Sequence, residues 1–590
     1  MAFGLVGAAQ LAAQQRAQPA GDQAASHYSP LDQITAANVN QLQVAWEWRP
    51  NEKNLPQFGT RPGAFQASPI VVDNVMYVST MYAGVAALDP STGRELWRYD
   101  SKAYEDGQPP NGTGYVHRGI VAWKDGDRLR IFLNARYKLI QLDAKTGRPV
   151  STFGDNGIVD LSKGLVWSIN KKHYTNTSPP VIYKDLVILG NGVGDRLTYK
   201  NDPPGDVRAF NARTGQLVWT FHTIPQRGEF GNNTWDNGSW QFTGHTNVWA
   251  PMSLDEARGL LYMPVSTPSN DYYGGRRPGQ NLFAESIVCL DANTGVRKWH
   301  YQLVHHGLWD YDPASPPNLV TITVDGKRID AVVQLTKQGF AFVFDRVTGR
   351  PIWPIEERVV PRSDVPGEAS WPVQPFPTKP PAFESQGVAL EDAFDATPEL
   401  KARAVAELKK YRLGPIYTPP SMQGTVVLPG VIGGANWGGG AFDPSTGRLF
   451  VKTTRQPAIF KMEKFDAATQ AKDRLDEVDA DYVNRSQPAA IDGIPILKPP
   501  YGNLVAIDLN RGEIAWKVPF GDMPQLRANA ALKDVALPPR LGAAGAAGVI
   551  VTRSGLIFGG GNDTALNVFD ANDGRELWRY VLPREAGGTP

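Results

Sequence analysis

The stretch Leu88–Asp100, "LDPSTGRELWRYD", returns almost unchanged at Phe569–Val581 as "FDANDGRELWRYV". Its skeleton is Asp, then Thr-Gly three and four residues on, then Trp eight residues on. The skeleton starts at Asp89, Asp143, Asn211, Asp291, Asp345, Asp443, Asp508 and Asp570. Its glycine is present each time, at Gly93, Gly147, Gly215, Gly295, Gly349, Gly447, Gly512 and Gly574. Trp fills the last position at Trp97, Trp219, Trp299, Trp353, Trp516 and Trp578, with Ser151 and Val451 in the other two copies.

An Asp or Asn that bonds turn amides, followed by Gly at positive φ, is the chemistry of a β-hairpin turn. The apolar run before each copy and the β-type residues after it supply the strands. One hairpin cannot bury both faces, but units stacked around an axis can, each Trp packing on a neighbour. Eight copies therefore predict an all-β chain folded as one eight-bladed β-propeller. The copies start 54 to 98 residues apart, more than a bare four-stranded unit needs, so insertions decorate some blades. Two are expected to be helical. One lies near 389–411, with Thr397 as N-cap, and the other near 465–485.

Composition narrows the function. Hydrophobic residues at 42% and charged residues at 20% describe a folded globular protein. A net charge of +1 offers nucleic acid or an acidic membrane no electrostatic attraction. No apolar run reaches the 18 or so residues of a membrane span. The single cysteine, Cys289, excludes an intramolecular disulfide, a CxxC metal site and a C-x-x-C-H haem attachment. Residues 1–25, opening "MAFGLVGAAQLAAQQ", read as the remnant of a secretory signal or as a disordered leader, which leaves 26–590 for the propeller.

The Trp-bearing phrase, eight times over, resembles the tryptophan-docking motif of quinoprotein alcohol and sugar dehydrogenases, which use pyrroloquinoline quinone (PQQ). The similarity runs from "YSPLDQITAANVNQLQVAWEWRP" to the closing "GGTP". The segments "TSPPVI", "WAP", "YQLVHHGLWDYD", "YTPPSMQGTVVLPG" and "NWGG" are similar to the branch containing membrane glucose dehydrogenase, without its helical anchor.

The resemblance implies a set of site residues. Arg118, Gln66 and Thr177 match contacts to the cofactor, Arg118 by pairing with a carboxylate. Trp249, in "TNVWAPMS", matches the stacking tryptophan, and Asn436 in "GGANWGG" a further contact. Asp195 and Thr267 match ligands of a divalent cation, usually calcium, which Asp310 also touches. Many relatives carry Asn where Thr267 stands, and Ser266, Asn270 or Asp271 are alternative ligands. Asp310 matches the catalytic base, and Lys337, 27 residues later, the lysine that stabilises charge on the quinone oxygen. Asp312 is a nearby carboxylate to be separated from Asp310 by mutation. His305 and His306 lack a third partner at zinc-ligand spacing and read as structural or substrate-side residues.

Departures from the family pattern are also visible. The glucose-type cap over the quinone is a histidine four residues before the arginine, where this chain has Gly114; His117 is displaced from that position. Only 12 residues follow Trp578, short of the family's further pair of strands, so an incomplete eighth blade is expected. The implied function is a periplasmic dehydrogenase that oxidises an alcohol or sugar hydroxyl by hydride transfer to PQQ. The electrons then pass to a separate acceptor, a cytochrome c or a quinone. A non-catalytic propeller of PQQ-like repeats, acting as a binding scaffold, is the alternative.

Overall fold

The Asp-to-Gly turns set the architecture. A computed structural model describes residues 18–110, 112–192, 194, 199–466 and 480–590, with the backbone of 2–4, and all eight turns form in it. At each, the glycine N–H donates to the carbonyl of the leading Asp or Asn at 2.8–2.9 Å. The eight glycines hold φ between +68° and +75°, a region costly for any residue with a Cβ. The leading side chain completes the turn, as where Asp89 Oδ1 accepts from Ser91 N and Thr92 N (2.9 and 3.1 Å).

Among the described residues the blades number seven, which corrects the expected eight. Four-stranded sheets occupy 70–99, 121–160, 181–221, 253–302, 440–519 and 549–581, and a three-stranded sheet occupies 318–345. Two of the eight turns share the sixth blade. Asp443 joins its first two strands, Gly440–Asp443 and Arg448–Thr454, and Asp508 joins its last two, Gly502–Asp508 and Glu513–Pro519. The same turn chemistry closes any antiparallel hairpin, so a count of turns overshoots the count of blades. Residues 34–48 lie between the seventh and first blades. Val39 and Leu42 pack on Leu556 and Val568 of the seventh, and Trp46 and Trp48 on Ala67, Val78 and Leu88 of the first.

Core packing runs from blade to blade. Val85 and Ala87 of the first meet Ile131 and Leu133 of the second. Ile188 and Val207 of the third meet Leu261 and Met263 of the fourth. At the rim, Trp97 Nε1 donates to Ala144 O (3.0 Å), Trp219 to Ala292 O (3.1 Å), Trp299 to Arg346 O (3.1 Å) and Trp516 to Ala571 O (3.3 Å). The next turn's glycine (Gly147, Gly295, Gly349 or Gly574) lies flat against each indole, where an added Cβ would overlap the ring. Trp46, ahead of the first blade, makes the same two contacts with Pro90 O and Gly93.

Both ends of the chain are tied into the ring. A strap over residues 22–29 passes four successive blades, and its carbonyls at residues 23–27 accept one backbone hydrogen bond from each. The donors are Leu254 N to Gln23 O (2.8 Å), Leu319 N to Ala24 O (2.9 Å), Phe442 N to Ser26 O (2.8 Å) and Val551 N to His27 O (3.0 Å). Tyr28–Ser29 then joins the seventh sheet as a parallel strand. Thr589 bridges the seventh and first blades: its carbonyl accepts from Ser68 Oγ and its Oγ1 from Gly548 N, both at 3.1 Å.

Of the two helices expected, one forms over Pro398–Leu408, where Thr397 Oγ1 accepts from Leu400 N (3.2 Å). Its buried face, Ala404 and Leu408, packs with Phe394, Val426 and Ile459. The second falls mostly on 467–479, outside the described residues, and Tyr482–Asn484 beyond it is a strand. Within the leader, residues 5–17 are likewise outside the described residues. No helix among the described residues is long and apolar enough to cross a membrane.

Candidate active site

The irregular stretch "WDYD" builds the centre of the site. Trp309 and Tyr311 turn into the core, where Trp309 Nε1 donates to Thr418 O (2.9 Å) and Tyr311 OH to Pro429 O (2.8 Å). The stretch is not a strand and Asp310 sits at φ +57°, yet Asp310 and Asp312 face the same partner. Lys337 meets both: its Nζ lies 2.9 Å from Asp310 Oδ1, 3.0 Å from Asp312 Oδ2 and 2.8 Å from Asp310 O. All three residues are buried. Burial alone would lower the Lys337 pKa, but the Asp310 and Asp312 carboxylates outweigh it and hold the ammonium above its usual range. Burial likewise opposes ionisation of Asp312, and Lys337 and Thr267 overcome it, so this carboxyl is lowered.

A glycine makes the lysine's position possible. Gly433, at φ +77°, passes so close that an added Cβ would overlap the Lys337 stem, and Gly434 N donates to Lys337 O (2.7 Å). Asp312 extends the cluster. Its Oδ1 accepts from Thr267 N (2.8 Å) and Thr267 Oγ1 (2.9 Å), and its Oδ2 from Trp249 Nε1 (3.3 Å). Asp271 Oδ1 lies 3.2 Å from Thr267 Oγ1; one hydroxyl proton serves one carboxylate at a time. Tyr272 OH is 3.4 Å from Asp310 Oδ2.

A second group surrounds Arg118. Its Nη1 donates to Thr177 Oγ1 (2.6 Å), and its guanidinium carbon lies 5.2 Å from the Trp249 ring centroid and 4.9 Å from that of Trp437. Burial lowers its pKa to about 9. Trp249 therefore joins the two groups, with its face to Arg118 and its N–H to Asp312. Beside them a small pocket, open to solvent, is lined by Arg118 and Trp437, the blade entries at Pro180, Pro251 and Pro316, and the strap. Gln66 is half-buried, and its Oε1 and Arg118 Nε are buried without hydrogen-bond partners among the described residues.

Other expected site residues lie apart from this cluster or are engaged locally. Asn436 bonds its own loop, through Nδ2 to Ile432 O and Oδ1 from Trp437 N, both at 2.7 Å. Asp195 lies outside the described residues. His117 turns its Nε2 to Asn134 O (2.9 Å), and burial lowers its pKa to about 4, which leaves the ring neutral near pH 7. His305 pairs with Glu357 (3.1 Å) and His306 with Glu368 (2.9 Å), each on a carboxylate of the insertion that follows the fifth blade. Sequence reasoning did not single out Trp437 or Tyr272, and it set Asp312 aside as a carboxylate to be separated from Asp310.

The profile of the family described as "PQQ: Glucose/ethanol/alcohol dehydrogenase, beta-propeller domain" matches residues 17–590. The chain belongs to this family. The quinoprotein is 31% identical to the quinate/shikimate dehydrogenase (quinone) of Acinetobacter baylyi, over 96% of this chain and 73% of that one. It is 30% identical to the quinoprotein glucose dehydrogenase of Escherichia coli, with the same coverage. Its fold matches the crystal structure of the quinohemoprotein alcohol dehydrogenase from Comamonas testosteroni with a TM-score of 0.69 at 24% identity, over 99% of this chain and 75% of that one.

Proposed function

We propose that this quinoprotein is a PQQ- and calcium-dependent dehydrogenase. It oxidises an alcohol or sugar hydroxyl to a carbonyl and passes the electrons to a separate acceptor, a cytochrome c or a quinone. The observation that carries the reading is the buried Lys337 ammonium held between Asp310 and Asp312 beside the Trp249 indole. Names among the relatives include quinate/shikimate, glycerol and glucose dehydrogenases, so polyhydroxy compounds head the substrate panel. We place its work in the periplasm, on the apolar, Ala-rich leader alone.

The residues present suit PQQ. Arg118 offers a planar guanidinium to a carboxylate, Trp249 offers a ring face, and Gln66 Oε1 and Arg118 Nε are buried polar atoms in want of partners. Gln66, Arg118, Thr177, Trp249 and Lys337 would hold the cofactor, joined by Asn436 if its amide turns away from Ile432. Bound PQQ supplies a two-electron acceptor for the hydrogen on the substrate's carbinol carbon. Asp310, Thr267 and Asp195 would hold calcium. The carboxyls of Asp310 and Asp312 share one ammonium, and Asp271 touches Thr267 Oγ1 beside them, hard oxygen donors of the kind a divalent cation takes.

The chain's own chemistry follows from the contacts. Asp310 Oδ1 is engaged by Lys337, so Oδ2, next to Tyr272 OH, is the oxygen that takes the substrate's hydroxyl proton. Lys337 keeps its own proton and acts as a fixed positive charge where negative charge develops. Asp312 orients Thr267, Trp249 and Lys337 at once. Protein reconstituted with PQQ and calcium is expected to reduce an artificial dye with alcohols, sugars or quinate. A preparation shown to bind PQQ that reduces none across the panel would sink the proposal and favour the scaffold reading.

A further inference from the structure

A further carboxyl lies behind the Asp310 loop, and the chemistry above does not use it. Glu285 precedes the fourth-blade strand Ser286–Asp291 and is fully buried. Neither carboxyl oxygen has a hydrogen-bond partner among the described residues. Its backbone sits at φ +47°, held by Glu285 N to Ser266 O (3.2 Å) and Leu303 N to Glu285 O (2.8 Å). A glutamate in that region of the Ramachandran map is uncommon and marks a conformation imposed by its surroundings.

The carboxyl occupies the place of a missing side chain. A Cβ added to Gly307 would overlap both oxygens and Cδ of Glu285. Gly307 is not among the glycines at positive φ, so space, not backbone freedom, is what demands glycine there. It stands three residues ahead of Asp310, and its carbonyl accepts from Arg277 Nη2 (2.6 Å). Arg277 is itself buried and also donates to Asn270 O (2.8 Å). The "HHGLWD" turn is thus gripped by an arginine at its carbonyl and by a carboxyl at its bare Cα.

We propose that Glu285 is a positioning residue whose carboxyl fills the space beside Gly307 and fixes the main chain that presents Asp310 to Lys337. The proposal rests on the dehydrogenase reading of Asp310. The charged and titratable groups around the carboxyl are Arg277, Asp312, Asp310, Lys337 and Tyr417. Burial, the largest influence, pushes Glu285 well above its usual range against the pull of Arg277. The neutral acid is the form suited to a site without partners, because a buried carboxylate there would be uncompensated.

Two measurements test this, and the first needs neither cofactor nor substrate. Gly307→Ala collides with the carboxyl and lowers the melting temperature. Glu285→Ala vacates the space, so the double variant melts above Gly307→Ala alone. Additive losses in this double-mutant cycle would overturn the assigned contact. The second compares kcat per bound PQQ. Glu285→Ala loses roughly tenfold to a hundredfold, as misplaced catalytic groups do, with KM and PQQ affinity unchanged. Glu285→Gln, of the same shape and neutral, recovers the rate. An unchanged kcat in Glu285→Ala overturns the positioning role. A wild-type protein that binds PQQ and turns over nothing overturns the dehydrogenase reading instead, and the cycle still decides whether Glu285 holds the loop.

Discussion

Lys337 answers to two carboxylates, and each can be removed with a different consequence. Asp310→Asn keeps the shape but abolishes the proton acceptor; kcat is expected to fall about 10²- to 10⁴-fold while PQQ titration shows near-normal binding. Asp312→Asn leaves the acceptor and weakens the hold on Thr267, Trp249 and Lys337. Its main loss belongs in PQQ affinity, read by quenching of tryptophan fluorescence. Lys337→Met strands two buried carboxylates, which typically costs about 3–5 kcal/mol of stability, measurable by urea titration. His117 adds a dependence on pH. Its folded pKa, about 4, is depressed from 6.5 chiefly by burial, so between those values the unfolded chain binds a proton that the folded ring refuses. Stability therefore falls as pH drops from 6.5 toward 4 and levels off below. A His117→Gln variant should show a shallower acid limb in melting temperature against pH.

At the level of elements, the turn and its tryptophan act as a pair. Trp299 is buried and bonds Arg346 O, and Gly349 lies against its ring. Trp299→Ala is expected to cost about 3–5 kcal/mol, the range for large aromatic truncations in a core. Gly349→Ala meets a second obstacle, since its φ of +70° is unfavourable for alanine even with the ring removed. The turns were legible in the sequence because their chemistry is local: an Asp, a Gly and a fixed spacing. Which strands a turn joins is not local, and Asp443 looks like Asp508 until the sheet is built. Val451 stands where Trp is expected, but so does Ser151 after Asp143, which closes the last pair of an ordinary blade, so the missing Trp does not mark the difference. The site divides the same way. The "WDYD" phrase is local and sets Asp310 and Asp312 two residues apart, but the left-handed backbone at Asp310 is not written in it. The approach of Gly433 to Lys337, and of Glu285 to Gly307, depends on packing between distant segments and leaves no pattern along the chain.

Across the whole molecule, the strap and the tail turn a row of blades into a circle. Blades in an open array contact only their neighbours and can unfold piecemeal. Here residues 23–27 bond four blades and Thr589 bridges the seventh to the first. The chain is therefore expected to melt in one sharp calorimetric transition. Deleting residues 1–29 should lower and broaden that transition, because the four carbonyl acceptors and the added parallel strand are lost together. With seven blades among the described residues, rather than the eight counted from turns, residues 34–48 carry the packing between the seventh blade and the first.

The strap also sets the order of events at the ribosome. Residues 27–29 are made long before their partners, Val551 and the strand around it. A nascent chain can raise its early hairpins one by one, but it cannot seat the strap until the seventh blade arrives. Translation and assembly thus run in opposite directions. Closure is a single late step, and a ribosome stalled before the seventh blade releases a chain with no circle to lock.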